Sequence, residues 1–296
     1  MVGMDNLDTE QRNERTQDLD LLSTGEILQI MNEEDLNVVS AVKRGLPQIE
    51  KVVEAIIHTL NNKGRIIYVG AGTSGRTGIV DAVECRPTFG CTNEFLGLIA
   101  GGYGAIVKAV EGAEDRKDLC VEDLKNNDFC SNDLLIGVAA SGRTPYVIGG
   151  IEYAKQIGAK TACVCCNINT EIGALVDYPI EVSAGPEILT GSTRLKSGTC
   201  QKIIINMFST ASMIGVGRVY KNLMVDVRPT NSKLIERCRR IVMDATDCDY
   251  QTANEVLKQT NNECKEAIVM ILLGVNLETA KEKLKEANGV VRKALV

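Results

Sequence analysis

The 296 residues carry 33 lysines and arginines against 39 aspartates and glutamates, a formal charge of -6, with 44% hydrophobic and 24% charged residues. That is enough chain for two domains or one large one with a full apolar core, and the balance excludes a disordered tail, a fibrous repeat and a disulfide miniprotein. The acidic surplus also argues against a general nucleic-acid or anionic-membrane surface.

The first twenty residues are rich in Asp, Glu and Arg and hold no apolar segment of the secretory kind, so a cytoplasmic protein is expected. Ser23-Thr24 followed by Glu26 reads as a helix start, and Val52, Val53, Ile56, Ile57 and Leu60 recur at helical spacing over 50–60. The lone His58 falls on this helix with no acid or nucleophile paired to it, which fits packing or surface placement better than catalysis. Five short runs rich in β-branched residues follow at 65–69, 94–99, 133–139, 160–166 and 178–183, separated mostly by helix-like segments. Strand alternating with helix predicts an α/β fold with a five-stranded parallel sheet flanked by helices. A helix over 197–215 closes this region, and 226–231, with Pro229, is the expected boundary. Beyond it amphipathic helices alone are expected near 234–245, 250–259, 264–273 and 277–287, a small all-α bundle of UBA-like size. The expected domains are therefore 1–231 and 232–296.

The longest strongly apolar stretch, 203–219, is interrupted by Asn206, Ser209, Thr210, Ser212 and Arg218, so no membrane span is expected. Eleven cysteines is an odd count that favours free thiols. Cys163, Cys165 and Cys166 lie in a run that reads as a buried strand, where alternation sends Cys165 and Cys166 to opposite faces, so no metal site is expected.

The first strand runs into Gly70-Ala71-Gly72-Thr73-Ser74-Gly75-Arg76 and then a helix over 77–85. A glycine-rich turn at a helix N-terminus offers backbone N–H groups to an anion. The spacing satisfies G-x-G-x-x-G, yet the second strand ends in Ile99-Ala100-Gly101-Gly102 without the carboxylate that a dinucleotide's ribose needs. A P-loop fails too, since no Gly-Lys-Ser/Thr follows. A hydroxyl-bearing loop for a single phosphate remains, with Ser74 and Thr73 as donors beside Gly72 and Gly75. The strand over 133–138 leads into a second such turn, Ala139-Ala140-Ser141-Gly142-Arg143-Thr144-Pro145. Either turn alone fits a tight βα connection; together they point to one crevice and a phosphorylated ligand. A third polar cluster, from Glu187 through Thr190, Ser192, Arg194 and Lys196 to Gly198, precedes the long helix and reads either as further ligand contacts or as a solvated loop.

At these residues the chain resembles the sugar isomerase (SIS) domain, whose members bind phosphosugars at such turns. The stretch 70–78, then Asp81-Ala82-Val83-Glu84-Cys85-Arg86-Pro87-Thr88-Phe89-Gly90, Ala109-Val110-Glu111-Gly112-Ala113-Glu114-Asp115, 140–146, 190–198 and Asn222-Leu223-Met224-Val225-Asp226-Val227 closely resemble the N-acetylmuramic acid 6-phosphate etherase family over nearly the whole chain. Arg86 and Arg228-Pro229 depart from the smaller or uncharged residues expected there.

The resemblance implies cleavage of the ether between C3 of the sugar and its D-lactyl group, giving N-acetylglucosamine 6-phosphate and D-lactate in peptidoglycan recycling. In the ring-opened sugar C2–H lies beside the C1 aldehyde, so elimination needs an acid and a base but no cofactor. It implies Glu84 as the acid protonating the leaving lactate and Glu114 as the base at C2. Glu111 and Asp115 are expected one helical turn apart beside Glu114. Ser74, Ser141 and Thr144 are the expected phosphate ligands, aided by backbone N–H groups at both helix starts, with Gly72, Thr73, Gly75, Gly142, Arg143 and Ser192 as further substrate-binding residues. Arg194 and Lys196 are candidates for phosphate or the lactyl carboxylate, and Glu187 for sugar hydroxyls. A homodimer is implied, with the N-terminal helices and 203–213 as candidate contacts. The competing readings are a phosphosugar isomerase, which releases no lactate, and a non-catalytic sugar-phosphate sensor related to the glucokinase regulatory protein.

Overall fold

In the computed structural model, which describes residues 7–229 and 231–296, five strands pair in parallel: β1 Ile66–Gly70, β2 Phe95–Ile99, β3 Leu134–Ala139, β4 Lys160–Cys165 and β5 Tyr178–Glu181. Their order is β2-β1-β3-β4-β5. The central strands β1 and β3 are buried along their whole length, as expected where helices cover both faces of a parallel sheet. The runs read as strands therefore hold within a residue or two.

The helices that matter to the site are α1 Thr24–Asn61, α2 Gly72–Phe89, α3 Gly104–Val107, α4 Lys117–Asn126, α5 Pro145–Gln156, α6 Glu171–Leu175 and α7 Lys196–Gly215. The Ser23 side chain and Glu26 form the expected capping box at the start of α1. This helix runs unbroken for 38 residues past Pro47, which is exposed and so leaves the orphaned carbonyl of the preceding turn to water. On one face of the sheet Ile67, Val69, Leu135 and Ala139 pack with Tyr146, Val147 and Ile151 of α5 and with Leu124 of α4. Cys163 and Cys165 join that core, whereas the Cys166 thiol turns to the Ser197 carbonyl at 3.5 Å. All eleven cysteines are free thiols.

The chain divides into two compact units. One comprises Met1–Val83 with Asn93–Ser209, the other Glu84–Thr92 with Thr210–Val296. In the second, α8 Ser232–Thr246, α9 Tyr250–Gln259, α10 Cys264–Leu273, α11 Leu277–Glu286 and α12 Val291–Ala294 enclose a core that includes Val242, Leu257, Ile268 and Val291. Asn231, Asp249 and Asn276 cap α8, α9 and α11. Asp226 pairs with Lys265 at 2.6 Å and Arg218 at 3.4 Å. No helix among the described residues is long and apolar enough to cross a membrane, and none of their side chains forms a group of three or more ligands suited to a metal ion.

Candidate active site

The strand order fixes where a ligand can sit. From β1 the chain steps to β2 on one side, while β3, β4 and β5 extend the sheet on the other. The carboxyl ends of β1 and β3, where Gly70 lies beside Val138, therefore form the topological switch point at which open α/β sheets bind ligands. The two hydroxyl-rich turns follow these two strands.

In the first turn α2 starts at Gly72, five residues earlier than the sequence pattern shows, so Gly72, Thr73 and Ser74 are the first-turn residues whose backbone N–H groups lack helical partners. Thr73 is half-buried and Ser74 buried. The Ser74 hydroxyl donates to Gln201 Oε1 on α7 at 2.9 Å. Gln201 is 1% exposed, and its Nε2 has no partner among the described residues. Turning the amide over would let Nε2 donate to Ser74 Oγ and leave the serine proton for an anion. Gln201 thus stands behind the first turn, and no local pattern singled it out.

In the second turn Gly142 has φ +71° and lies so close to Thr170 that a Cβ there would stand 2.3 Å from the threonine Cβ. Its carbonyl accepts the Ile172 N–H at 2.9 Å. Pro145 opens α5, where a missing N–H costs no hydrogen bond. Among the described residues the hydroxyls of Ser141 and Thr144 and the guanidinium of Arg143, all half-buried, have no hydrogen-bond partner.

Beside the first turn, on the β2 side, lies a cleft of about 180 Å³ whose lining includes Gly72, Arg76, Ala100, Ala105, Glu111 and Glu114. Glu114 is exposed and sits in a single 3-10 turn, Ala113–Asp115. The expected helix through Glu111 and Asp115 is absent, because Gly112 adopts φ +73° and breaks it. Glu84 is exposed on α2 and falls in the second compact unit.

Two expected ligands have other partners. Glu187 is fully buried: one carboxylate oxygen accepts the Lys196 N–H, and the other accepts the Ser197 N–H and hydroxyl, all at 2.9 Å. Both oxygens cap α7, where a carboxylate meets the positive end of the helix, so Glu187 shapes the site instead of meeting sugar hydroxyls. The Lys196 ammonium is buried against Glu34 at 2.7 Å and the Ala184 carbonyl at 3.1 Å, which removes it as an anion ligand. Arg194 is exposed and Ser192 half-buried. Asp81, one turn before Glu84, is buried and accepts hydrogen bonds from Asn206 at 2.8 Å, Ser209 at 2.9 Å and Tyr68 at 3.3 Å. Burial raises its pKa against the pull of these donors.

Comparison with known proteins agrees with this geometry. A family model described as the N-terminal SIS domain of the glucokinase regulatory protein matches residues 48–155. A phosphoheptose isomerase structure from Neisseria gonorrhoeae superposes with a TM-score of 0.51 at 16% identity, covering 64% of this chain and 98% of that one, a likeness of fold. N-acetylmuramic acid 6-phosphate etherase of Bacillus cereus (strain G9842) is 57% identical over 99% of this chain and 100% of its own length. That of Geobacillus sp. (strain WCH70) is 57% identical over 99% of both, and etherase 2 of Enterococcus faecalis 58% identical over 92% of both. A SIS-type sheet with both turns at its switch point, continued through the helical region at this identity, makes the chain a member of the N-acetylmuramic acid 6-phosphate etherase family.

Proposed function

We propose that this chain cleaves the D-lactyl ether of N-acetylmuramic acid 6-phosphate as a carbon–oxygen lyase, giving N-acetylglucosamine 6-phosphate and D-lactate. The observation that carries the reading is identity of 57% with an etherase over its full length, combined with paired turns at the switch point. The phosphate is bound by the α2 N-terminus and Ser74 on one side and by Ser141 and Thr144 on the other. The sugar extends toward the cleft that Glu114 lines. With the ring open, Glu114 removes the proton from C2, the C3–O bond breaks, and Glu84 protonates the departing lactate oxygen. Water then adds across the C2–C3 double bond, its hydroxyl going to C3 and a proton returning to C2. The assignment of the two glutamates is supported by the family motifs at 81–90 and 109–115.

We infer further that the protein is cytoplasmic and a homodimer. The 203–213 segment contributes Ile204, Ile205 and Phe208 to the chain's own core, whereas Leu28, Leu36, Val39 and Leu46 form one exposed stripe along α1, at 60%, 67%, 63% and 44% exposure. Sedimentation of Leu36→Glu/Val39→Glu tests this, a monomer being expected.

The function is tested by incubating purified protein and chelator with N-acetylmuramic acid 6-phosphate and assaying D-lactate. Release by the wild type, reduced by about 10²-fold or more in Glu84→Gln and in Glu114→Gln, is expected. Phosphosugar binding without lactate supports a sensor, and interconversion of aldose and ketose phosphates an isomerase.

A further inference from the structure

The cleft beside the first turn holds a cation that the reaction scheme has not used. Arg76, on α2, is half-buried; its Nε donates to the Ile106 carbonyl at 2.9 Å and its Nη2 to the Ala105 carbonyl at 2.7 Å. These two bonds to α3 fix the guanidinium plane. They use two of its five N–H groups, and among the described residues no carboxylate lies within ion-pair distance of it. A guanidinium held in place with spare donors is suited to accept a planar oxyanion on two parallel hydrogen bonds.

The substrate of the proposed reaction carries two anions, and the phosphate has its seat between the turns after β1 and β3. Arg76 lines the cleft on the opposite, β2 side of β1, together with Glu111 and Glu114. A carboxylate entering there meets two acidic side chains and needs a cation to offset them. Of the two alternatives from the sequence, Lys196 is committed to Glu34 and Arg194 is exposed. We propose that Arg76 receives the carboxylate of the lactyl group and so sets the substrate class as hexosamine 6-phosphates bearing a carboxyalkyl ether at C3; this rests on the etherase reading above.

The test compares N-acetylmuramic acid 6-phosphate with its neutral lactyl carboxamide on each protein sample, reading kcat/KM from release of the hydroxy acid or its amide. The ratio of the two values cancels the fraction of folded enzyme, so a partly misfolded variant still reports. The wild type is expected to prefer the acid by about 10- to 100-fold, the range of a bidentate charge-assisted pair. In Arg76→Gln the ratio collapses toward one, in Arg76→Lys it is intermediate, and in Arg194→Gln it stays as in the wild type. An unchanged ratio in Arg76→Gln, with both substrates slowed alike, assigns Arg76 to loop support alone and overturns the proposal, as does a collapse in Arg194→Gln instead. Failure of the wild type to cleave either substrate overturns the etherase reading and the proposal with it.

Discussion

The two turns that meet at the switch point share one local pattern, strand, small hydroxyl-rich turn, helix, yet the fold supports them by opposite means. The first is held through side chains from a distant helix: Gln201 takes the Ser74 hydroxyl, and Gly198 lets α7 close on Thr73. The second is held through its backbone, with Gly142 pressed on Thr170 and its carbonyl bonded to Ile172. Hydroxyls that read alike in sequence are therefore not alike in use. Ser74 meets a ligand with Gln201 bonded behind it, while Ser141 and Thr144 have no partner among the described residues.

If the first turn depends on α7, loosening the start of α7 should damage it most. Lys196 and Glu187 hold that start, and Lys196 is neutralised by Glu34, which also receives Arg15 at 3.0 Å and Asn13 at 3.1 Å. Glu34→Gln leaves a buried ammonium without its carboxylate, at a cost of about 3–5 kcal/mol. The expected outcome is a fall in Tm of at least several degrees, with weakened phosphosugar binding in a titration. An unchanged Tm would remove this pair from the support of the turn.

Breaking the second turn needs only one methyl group. Gly142→Ala places Cβ against Thr170 and forces an L-residue to φ +71°, which together cost about 2–4 kcal/mol. Thr170→Ser in the same chain keeps the hydroxyl that caps α6 and removes one of the clashing atoms. Thermal melts of the single and double variants should show partial recovery. Equal Tm values for both place the strain elsewhere.

This contrast marks where the sequence stops being informative. The strands were legible because burial on both sheet faces leaves unbroken apolar runs such as Ile66–Gly70, and the turns because glycines and hydroxyls cluster locally. The start of α2 was not, since Gly72 to Gly75 carry no helical periodicity and the close approach of Gly75 to the Gly70 carbonyl leaves no local pattern. Glu187 and Lys196 looked like ligands because a charged residue in a polar loop gives no local sign of burial. Their fates depend on Glu34, 162 positions from Lys196, and on the α7 N-terminus. Gln201 was invisible for the same reason, lying 127 positions from Ser74. Local chemistry was readable, and the long-range partners that decide which hydroxyl is free were not.

A smaller effect sharpens the same distinction. Ser74→Ala leaves the Gln201 amide buried with neither end bonded, costing about 1–3 kcal/mol of stability as well as substrate affinity. Thr144→Ala removes a hydroxyl with no partner among the described residues, so its stability should stay within about 0.5 kcal/mol of the wild type while KM rises about tenfold. Melts and KM measured on both variants check this. Equal losses of stability would show that the second turn's hydroxyls are structural after all.

The smallest effect separates two buried carboxylates behind the first turn by the sign of their pH dependence. For Glu34, burial pushes the pKa up but is outweighed by the hydrogen bond and charge of Lys196, with Arg15 and Asn13, and the folded value lies below the ordinary 4.5. Its contribution is therefore present above pH 4.5 and is lost as pH falls below it. For Asp81, burial dominates over the bonds from Asn206, Ser209 and Tyr68, and the folded pKa lies above the ordinary 3.8. Here the folded state holds the proton more tightly, so stability is lost as pH rises above 3.8, each unit of elevation costing about 1.4 kcal/mol at neutral pH. Asp81→Asn should relieve that cost with little disturbance. Asn206 and Ser209 both donate to Oδ1, which an asparagine retains, and its Nδ2 can donate to the Tyr68 hydroxyl in place of the bond that Oδ2 accepted. Denaturant titrations across pH 3 to 8 should find the variant equal to the wild type at the acid end and up to about 1 kcal/mol more stable at neutral pH. A variant less stable at neutral pH would mean that the ionised carboxylate, and not the shape of its bonds, ties α2 to α7.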